Sequence, residues 1–142
     1  MEIALKKIIC AVDFSAASDA LVRYAATLHC SGAELMVLYV APGAESEDGM
    51  LRKHLHEFSR YSDMLSANNA HALFTVQYGE PAAAILSYAR EYHADMIILG
   101  FHGNTAIARL LMGSTAESVM RQAPCPVVIL KTPDNNKKHG TT

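Results

Sequence analysis

Ile97–Thr115 reads IILGFHGNTAIARLLMGST: a short apolar run meets Gly100, Gly103 follows three residues later, and nine intervening residues lead to Gly113-Ser114-Thr115. A helical pattern then continues to Gln122. Glycines at the carboxyl end of a buried strand let backbone N–H groups approach an anion closely. A Gly-Ser-Thr at the next helix start adds hydroxyls and the positive end of the helix dipole. The stretch reads as half of a phosphate-binding site on a strand–loop–helix unit, and it asks the remaining chain for the other half.

Working outward, the same alternation of apolar strand and amphipathic helix recurs along the chain. Lys7 to Val12 (KIICAV) reads as a strand buried on both faces, ending in Asp13-Phe14-Ser15. Ala16 to Cys30 carries Leu21, Tyr24, Ala25 and Leu28 at helical spacing, with Ser15 as N-cap, Asp19 in the first turn and Ser31-Gly32 as its stop. Glu34 to Val40 is a second strand. Pro42-Gly43 and the acidic run Glu45 to Gly49 read as a loop. Leu51, Leu55, Phe58 and Leu65 space out a helix to about Asn69, with His54, Glu57 and Arg60 on its wetter side.

Ala72 to Tyr78 is the third strand, and Gly79-Glu80-Pro81 turns into a helix that ends near His93. Asp95 to Leu99 is the fourth strand, Gly113 or Ser114 opens the last helix, and Val127 to Leu130 is the fifth strand after Pro124-Cys125-Pro126. Repeated β–α units predict a single open parallel sheet of five strands with helices on both faces, α/β in class. Ligands in such sheets sit beyond the carboxyl ends of the strands, where strand order reverses. Polar candidates follow the first strand, at Asp13, and the fourth, from Gly100. For both to share a crevice these strands must be neighbours, which predicts the order 3-2-1-4-5. Residues 1–132 form the expected domain, and residues 133–142 a polar, disordered tail.

The bulk properties narrow the function. The 142 residues are 51% hydrophobic and 18% charged, with a net charge of −2, which suits one well-packed domain and gives no electrostatic case for nucleic acid. Cys10, Cys30 and Cys125 are odd in number and widely spaced, as expected of reduced thiols in the cytoplasm. No apolar run reaches 18 residues and no leader pattern is apparent, so neither membrane nor signal peptide is expected. A P-loop motif is absent. So is a G-x-G-x-x-G after the first strand, and the third strand exits without the acid of a phosphoryl acceptor. The seven histidines show no metal-ligand spacing, so no metal site of protein side chains is expected.

What remains is G-x2-G-x9-G-[ST] at Gly100, Gly103, Gly113 and Ser114. With AVDFS at the first strand exit, Gly79-Glu80-Pro81, ADMIILGFHG and LLMGSTAESVMRQAPCPVVIL, the chain resembles the universal stress protein family over nearly its whole length. The resemblance implies the family's nucleotide-binding branch, an adenine nucleotide hydrolase-like fold, and a ligand such as ATP or AMP with Mg2+ on its phosphates. It implies that Ala11 and Val12 belong to the nucleotide site, that Asp13 hydrogen-bonds the ribose or adenine edge, that Val40 meets adenine through its backbone, and that Leu99 packs near the base. Gly100, His102, Gly103, Asn104, Gly113, Ser114 and Thr115 would surround the phosphates. Asn104 stands where the family often has a basic residue, an uncharged amide that weighs toward AMP or ADP.

The resemblance also implies a cytoplasmic stress-response homodimer joined through Val127 to Leu130. Two other readings stand beside it: a slow ATP hydrolase or self-phosphorylating protein using Ser15, Ser114 or Thr115, and a nucleotide-independent dimeric adaptor. Plainer roles stand too, with Asp13 and Ser114 as helix caps, His102 and Arg109 as exposed loop residues, and Met64 and Met112 as core filler.

Overall fold

The computed structural model describes residues 6–28, 33–41, 47–101 and 114–131. His102, Gly103, Asn104, Arg109, Met112, Gly113, the Ser31-Gly32 stop, Cys30 and the 133–142 tail lie outside the described residues. The elements run β1 (Lys7–Val12), α1 (Ala16–Leu28), β2 (Glu34–Ala41), α2 (Glu47–Ser66), β3 (Leu73–Tyr78), α3 (Pro81–Tyr92), β4 (Met96–Phe101), α4 (Ser114–Gln122) and β5 (Val127–Lys131). All four strand pairings are parallel and the order is β3-β2-β1-β4-β5, as the shared-crevice argument requires. No helix among the described residues is long and apolar enough to cross a membrane.

Period-two alternation along the central strands builds two cores, one on each face. Ile8, Cys10, Val12 and Ile98 pack with Leu21, Val22 and Ala25 of α1 and with Tyr61 and Leu65 of α2. Ile9, Ile97 and Leu99 pack with Ile85, Leu86 and Ala89 of α3 and with Ala116 and Val119 of α4. Full burial of each Ile, Leu or Val side chain contributes roughly 1.5–3 kcal/mol. These central strands are apolar at nearly every position because both of their faces are covered.

Local chemistry marks the element ends. Ser15 caps α1, its Oγ and carbonyl both accepting from the Ser18 N–H, at 3.3 and 3.0 Å. Glu80 caps α3, accepting from the Ala82 and Ala83 N–H groups at 3.0 and 2.9 Å, with Pro81 in the first turn. Gly79 has φ +121°, a conformation that glycine adopts without strain, and His93 closes α3 in the left-handed region. Asp95 accepts from the backbone N–H groups of Lys6 and Lys7 at 3.0 and 2.9 Å, tying the entrance of β4 to that of β1.

Helix α2 departs most from expectation. It begins at Glu47, four residues before Leu51, so part of the acidic run expected as loop is helical. It ends at Ser66, and a turn with Asn69 at φ 59° follows where more helix was expected. Its buried stripe is also rotated. Leu55 is 61% exposed, whereas His54, expected on the wetter side, is 4% exposed and packs with Tyr39 and Phe58. The core-facing set is His54, Phe58, Tyr61 and Leu65, spaced i, i+4, i+7 and i+11. An aromatic cluster accommodates the imidazole as a flat ring. Arg60, expected beside it in solvent, spans Asp19 of α1 and Glu57, at 2.8 and 2.9 Å.

Cys10 is fully buried, and burial pushes its thiol up to about 12 from an ordinary value of 9.0. The native protein should therefore resist thiol reagents at Cys10 at pH 8, labelling there only as fast as it globally unfolds. An unfolded thiol ionises near 9 and the folded one near 12. The stability contribution is thus fully present below 9 and is lost as pH rises toward 12. Mass-resolved labelling at Cys10 checks the first statement, and denaturant midpoints between about pH 8 and 11, falling less steeply in Cys10→Ala, check the second. Rapid native labelling of Cys10 would contradict both.

Candidate functional site

Beyond the carboxyl ends of β1, β2 and β4 lies a cavity of about 440 Å³. The switch in strand order puts it there: β1 is followed by a helix on one face, β4 by a helix on the other, and the two departures open a crevice between neighbouring strands. Ala11, Val12 and Asp13 line it from β1 and its exit, Val40 from β2, and Leu99 and Gly100 from β4. Ser114 and Thr115 line it from the first turn of α4. These are eight of the residues singled out in the sequence, brought together from four elements. The other four, His102, Gly103, Asn104 and Gly113, lie outside the described residues.

The cavity is also lined by residues that motif spacing did not reveal: Leu38 of β2, Pro81 and Ile85 of α3, Ala116 of α4, and Ser18 and Leu21 of α1. Leu38 and Ile85 look like core, and in part they are, because the apolar wall of the cavity continues the core under α3 and α4. Ser18 had a signal that could have been used. It is the one polar member of α1's buried stripe, Ser18, Leu21, Val22 and Ala25.

The two ends of the cavity differ in chemistry. Val40 and Leu38 of β2 with Pro81 and Ile85 of α3 make an apolar wall. Gly100 lines the cavity near the end of β4, and α4 presents its N-terminus with two hydroxyls. The first N–H groups of a helix have no partner within it, and the dipole places partial positive charge beside them. No lysine or arginine stands among the described lining residues. Asp13 lies between the two ends, at the exit of β1, and its side chain serves the local turn as well as the cavity. Oδ1 accepts from the Ser15 N–H at 3.0 Å and from the Ser18 hydroxyl at 2.7 Å. Turn formation and cavity lining are thus one arrangement here, and the helix cap is Ser15.

Phe14 shows how Asp13 is held at the rim. Its φ of 65° lies in the left-handed region, at a cost of roughly 1–2 kcal/mol for a non-glycine residue. Offsetting that cost, its ring stacks on Tyr39 at 4.1 Å and meets Phe58 at 5.7 Å and His54 at 5.8 Å. Asp13 therefore lines the cavity while the next side chain anchors in the core on the α1 and α2 face.

A model described as the universal stress protein family matches residues 4–131. Among curated relatives, a universal stress protein of Methanocaldococcus jannaschii is 44% identical over 55 residues, 39% of this chain and 32% of that protein. Such matches span between 32% and 61% of the first relatives' own lengths. Among solved structures, the universal stress protein of Archaeoglobus fulgidus in complex with dAMP superposes with a TM-score of 0.69 at 20% identity, covering 90% of this chain and 98% of that one. A family member from Arabidopsis thaliana with AMP bound gives a TM-score of 0.67 at 14% identity, covering 90% and 92%. At those identities the likeness speaks for the fold.

Proposed function

This chain belongs to the universal stress protein family, and from that premise we propose that its cavity binds an adenine nucleotide, making the protein a small cytoplasmic regulatory module of the stress response. One observation carries the reading: a single cavity joins an apolar lining, a carboxylate and a helix N-terminus. An adenine ring suits the wall formed by Val40, Leu38 and Ile85. A phosphate suits the N–H groups and hydroxyls at Ser114 and Thr115. The sugar then lies over β1, beside Ala11, Val12 and Asp13. The relatives solved with dAMP and AMP support the choice of adenine mononucleotides.

Gly100, His102, Gly103, Asn104 and Gly113 complete the phosphate end in this proposal. With Asn104 in place of a cation, AMP is the preferred ligand and ATP binds with Mg2+ on its phosphates. The half-buried edge strand β5 serves as the contact between two copies, through Val127 to Leu130.

Titration calorimetry of the purified protein with AMP, and with ATP and Mg2+, tests the reading. Saturable one-to-one binding at micromolar to submillimolar ligand is the expected result. No heat and no saturation at millimolar AMP or ATP would overturn it.

A further inference from the structure

Ser18 is 1% exposed, yet it lines the cavity and faces Asp13 rather than solvent. Its hydroxyl acts twice on the same residue. Oγ–H donates to Asp13 Oδ1 at 2.7 Å, and Oγ accepts from the Asp13 backbone N–H at 2.9 Å. The Ser15 N–H reaches the same Oδ1 at 3.0 Å. Ser18's own N–H is meanwhile taken by the Ser15 cap, so its side chain is not needed to start the helix. A residue at this position of α1's buried stripe needs no hydroxyl for packing. Alanine would fill the same helical position with higher helix propensity.

We propose that Ser18 is a positioning residue: it sets the plane of the Asp13 carboxylate so that this group accepts hydrogen bonds from the ribose hydroxyls of the bound nucleotide. This rests on the adenine-nucleotide reading of the cavity. An ionised carboxylate only accepts, and the two donors on Oδ1 fix its plane. A carboxylate free to rotate would have to be ordered by the ligand, at a cost in affinity; one clamped in advance would not. The strand order places the exit of β1, with Asp13, between Val40 of β2 and Gly100 of β4, which is where the sugar lies when base and phosphate occupy those two sides. The discrimination that results is between a ligand with a diol and one without it.

The experiment is a double-mutant cycle on the whole chain, Ser18→Ala and Asp13→Ala, each measured for binding of AMP and of 2′,3′-dideoxy-AMP. In the wild type, AMP should bind about tenfold or more tightly than the dideoxy form. Ser18→Ala should remove most of that preference by weakening AMP about fivefold to tenfold, with dideoxy-AMP changed less than about twofold. In the Asp13→Ala background, adding Ser18→Ala should have no further effect on either ligand. Ser18→Thr, which retains the hydroxyl, should restore the preference. Equal losses for both ligands, or additive losses in the cycle, would overturn the positioning role while leaving nucleotide binding intact. A wild type that binds neither ligand would instead overturn the adenine-nucleotide reading, and this inference with it.

Discussion

Ser114→Glu will lower affinity for AMP by at least about a hundredfold while leaving the fold as stable as before. Ser114 is the exposed first residue of α4 and lines the cavity. A carboxylate in the first turn of a helix is favourable by about 0.3–1 kcal/mol, so thermal and denaturant stability should hold or rise slightly. The same charge would confront the phosphate proposed for that helix end. Two unit charges about 4 Å apart at an effective dielectric near 20 repel by about 4 kcal/mol, and even half of that is more than an order of magnitude in affinity. A phosphate monoester near its second ionisation carries more than one charge, which makes a hundredfold a conservative figure. Adenosine, without a phosphate, should bind the variant within a few-fold of the wild type. The comparison separates the two ends of the cavity by calorimetry alone. Equal losses for adenosine and AMP, or none for AMP, would mean that the phosphate does not sit at the start of α4.

Ile98→Ala should cost about 3–5 kcal/mol of folding stability, read from the denaturant midpoint at an unchanged slope. Ile98 has no exposed surface, and it stands in β4 between Cys10 of β1 and Val128 of β5. Hydrogen-bonded neighbours on both sides prevent the backbone from closing over a lost side chain, so the cavity term adds to the lost transfer energy. Against the typical range of about 5–15 kcal/mol for a domain, that is a large share. Leu55→Ala supplies the contrast. At 61% exposure in α2 it should stay within about 0.5 kcal/mol of the wild type, although its apolar character and helical spacing assign it to the core. A large loss at Leu55 would reverse the rotation of α2 described above.

Leu55 and His54 illustrate where sequence reasoning stops. Both lie on a helix whose periodicity is plain, and neighbouring apolar residues admit two stripes rotated by about one residue. Choosing between them needs the opposite surface. Phe14, turned into the core by a left-handed backbone, and Tyr39, on the same face of β2, form an aromatic floor that accepts a flat imidazole and leaves a leucine outside. Nothing within residues 47–66 contains that information.

The strand order, by contrast, was legible, because function constrains topology. Asp13 and Gly100 can share a crevice only if β1 and β4 are adjacent, and they are. Asp13, Gly100 and Ser114 could be assigned to the cavity from spacing and chemistry, whereas Ala11, Val12, Val40 and Leu99 were implied by the family resemblance. Pro81 and Ile85 could not, since each looks like ordinary helix until α3 is placed over the strand ends.

Local chemistry was therefore enough for the α/β class, the parallel sheet with its switch between β1 and β4, and Asp13 and Gly100 at two strand exits. Hydrophobic period, caps and glycine spacing act within one turn or one strand, and each is written in neighbouring residues. Which face of α2 is buried, and which residues of α3 close the cavity, depended on packing between segments far apart in the chain. Those choices are made by the shape and chemistry of the opposing surface, which exists only once the sheet has brought it there.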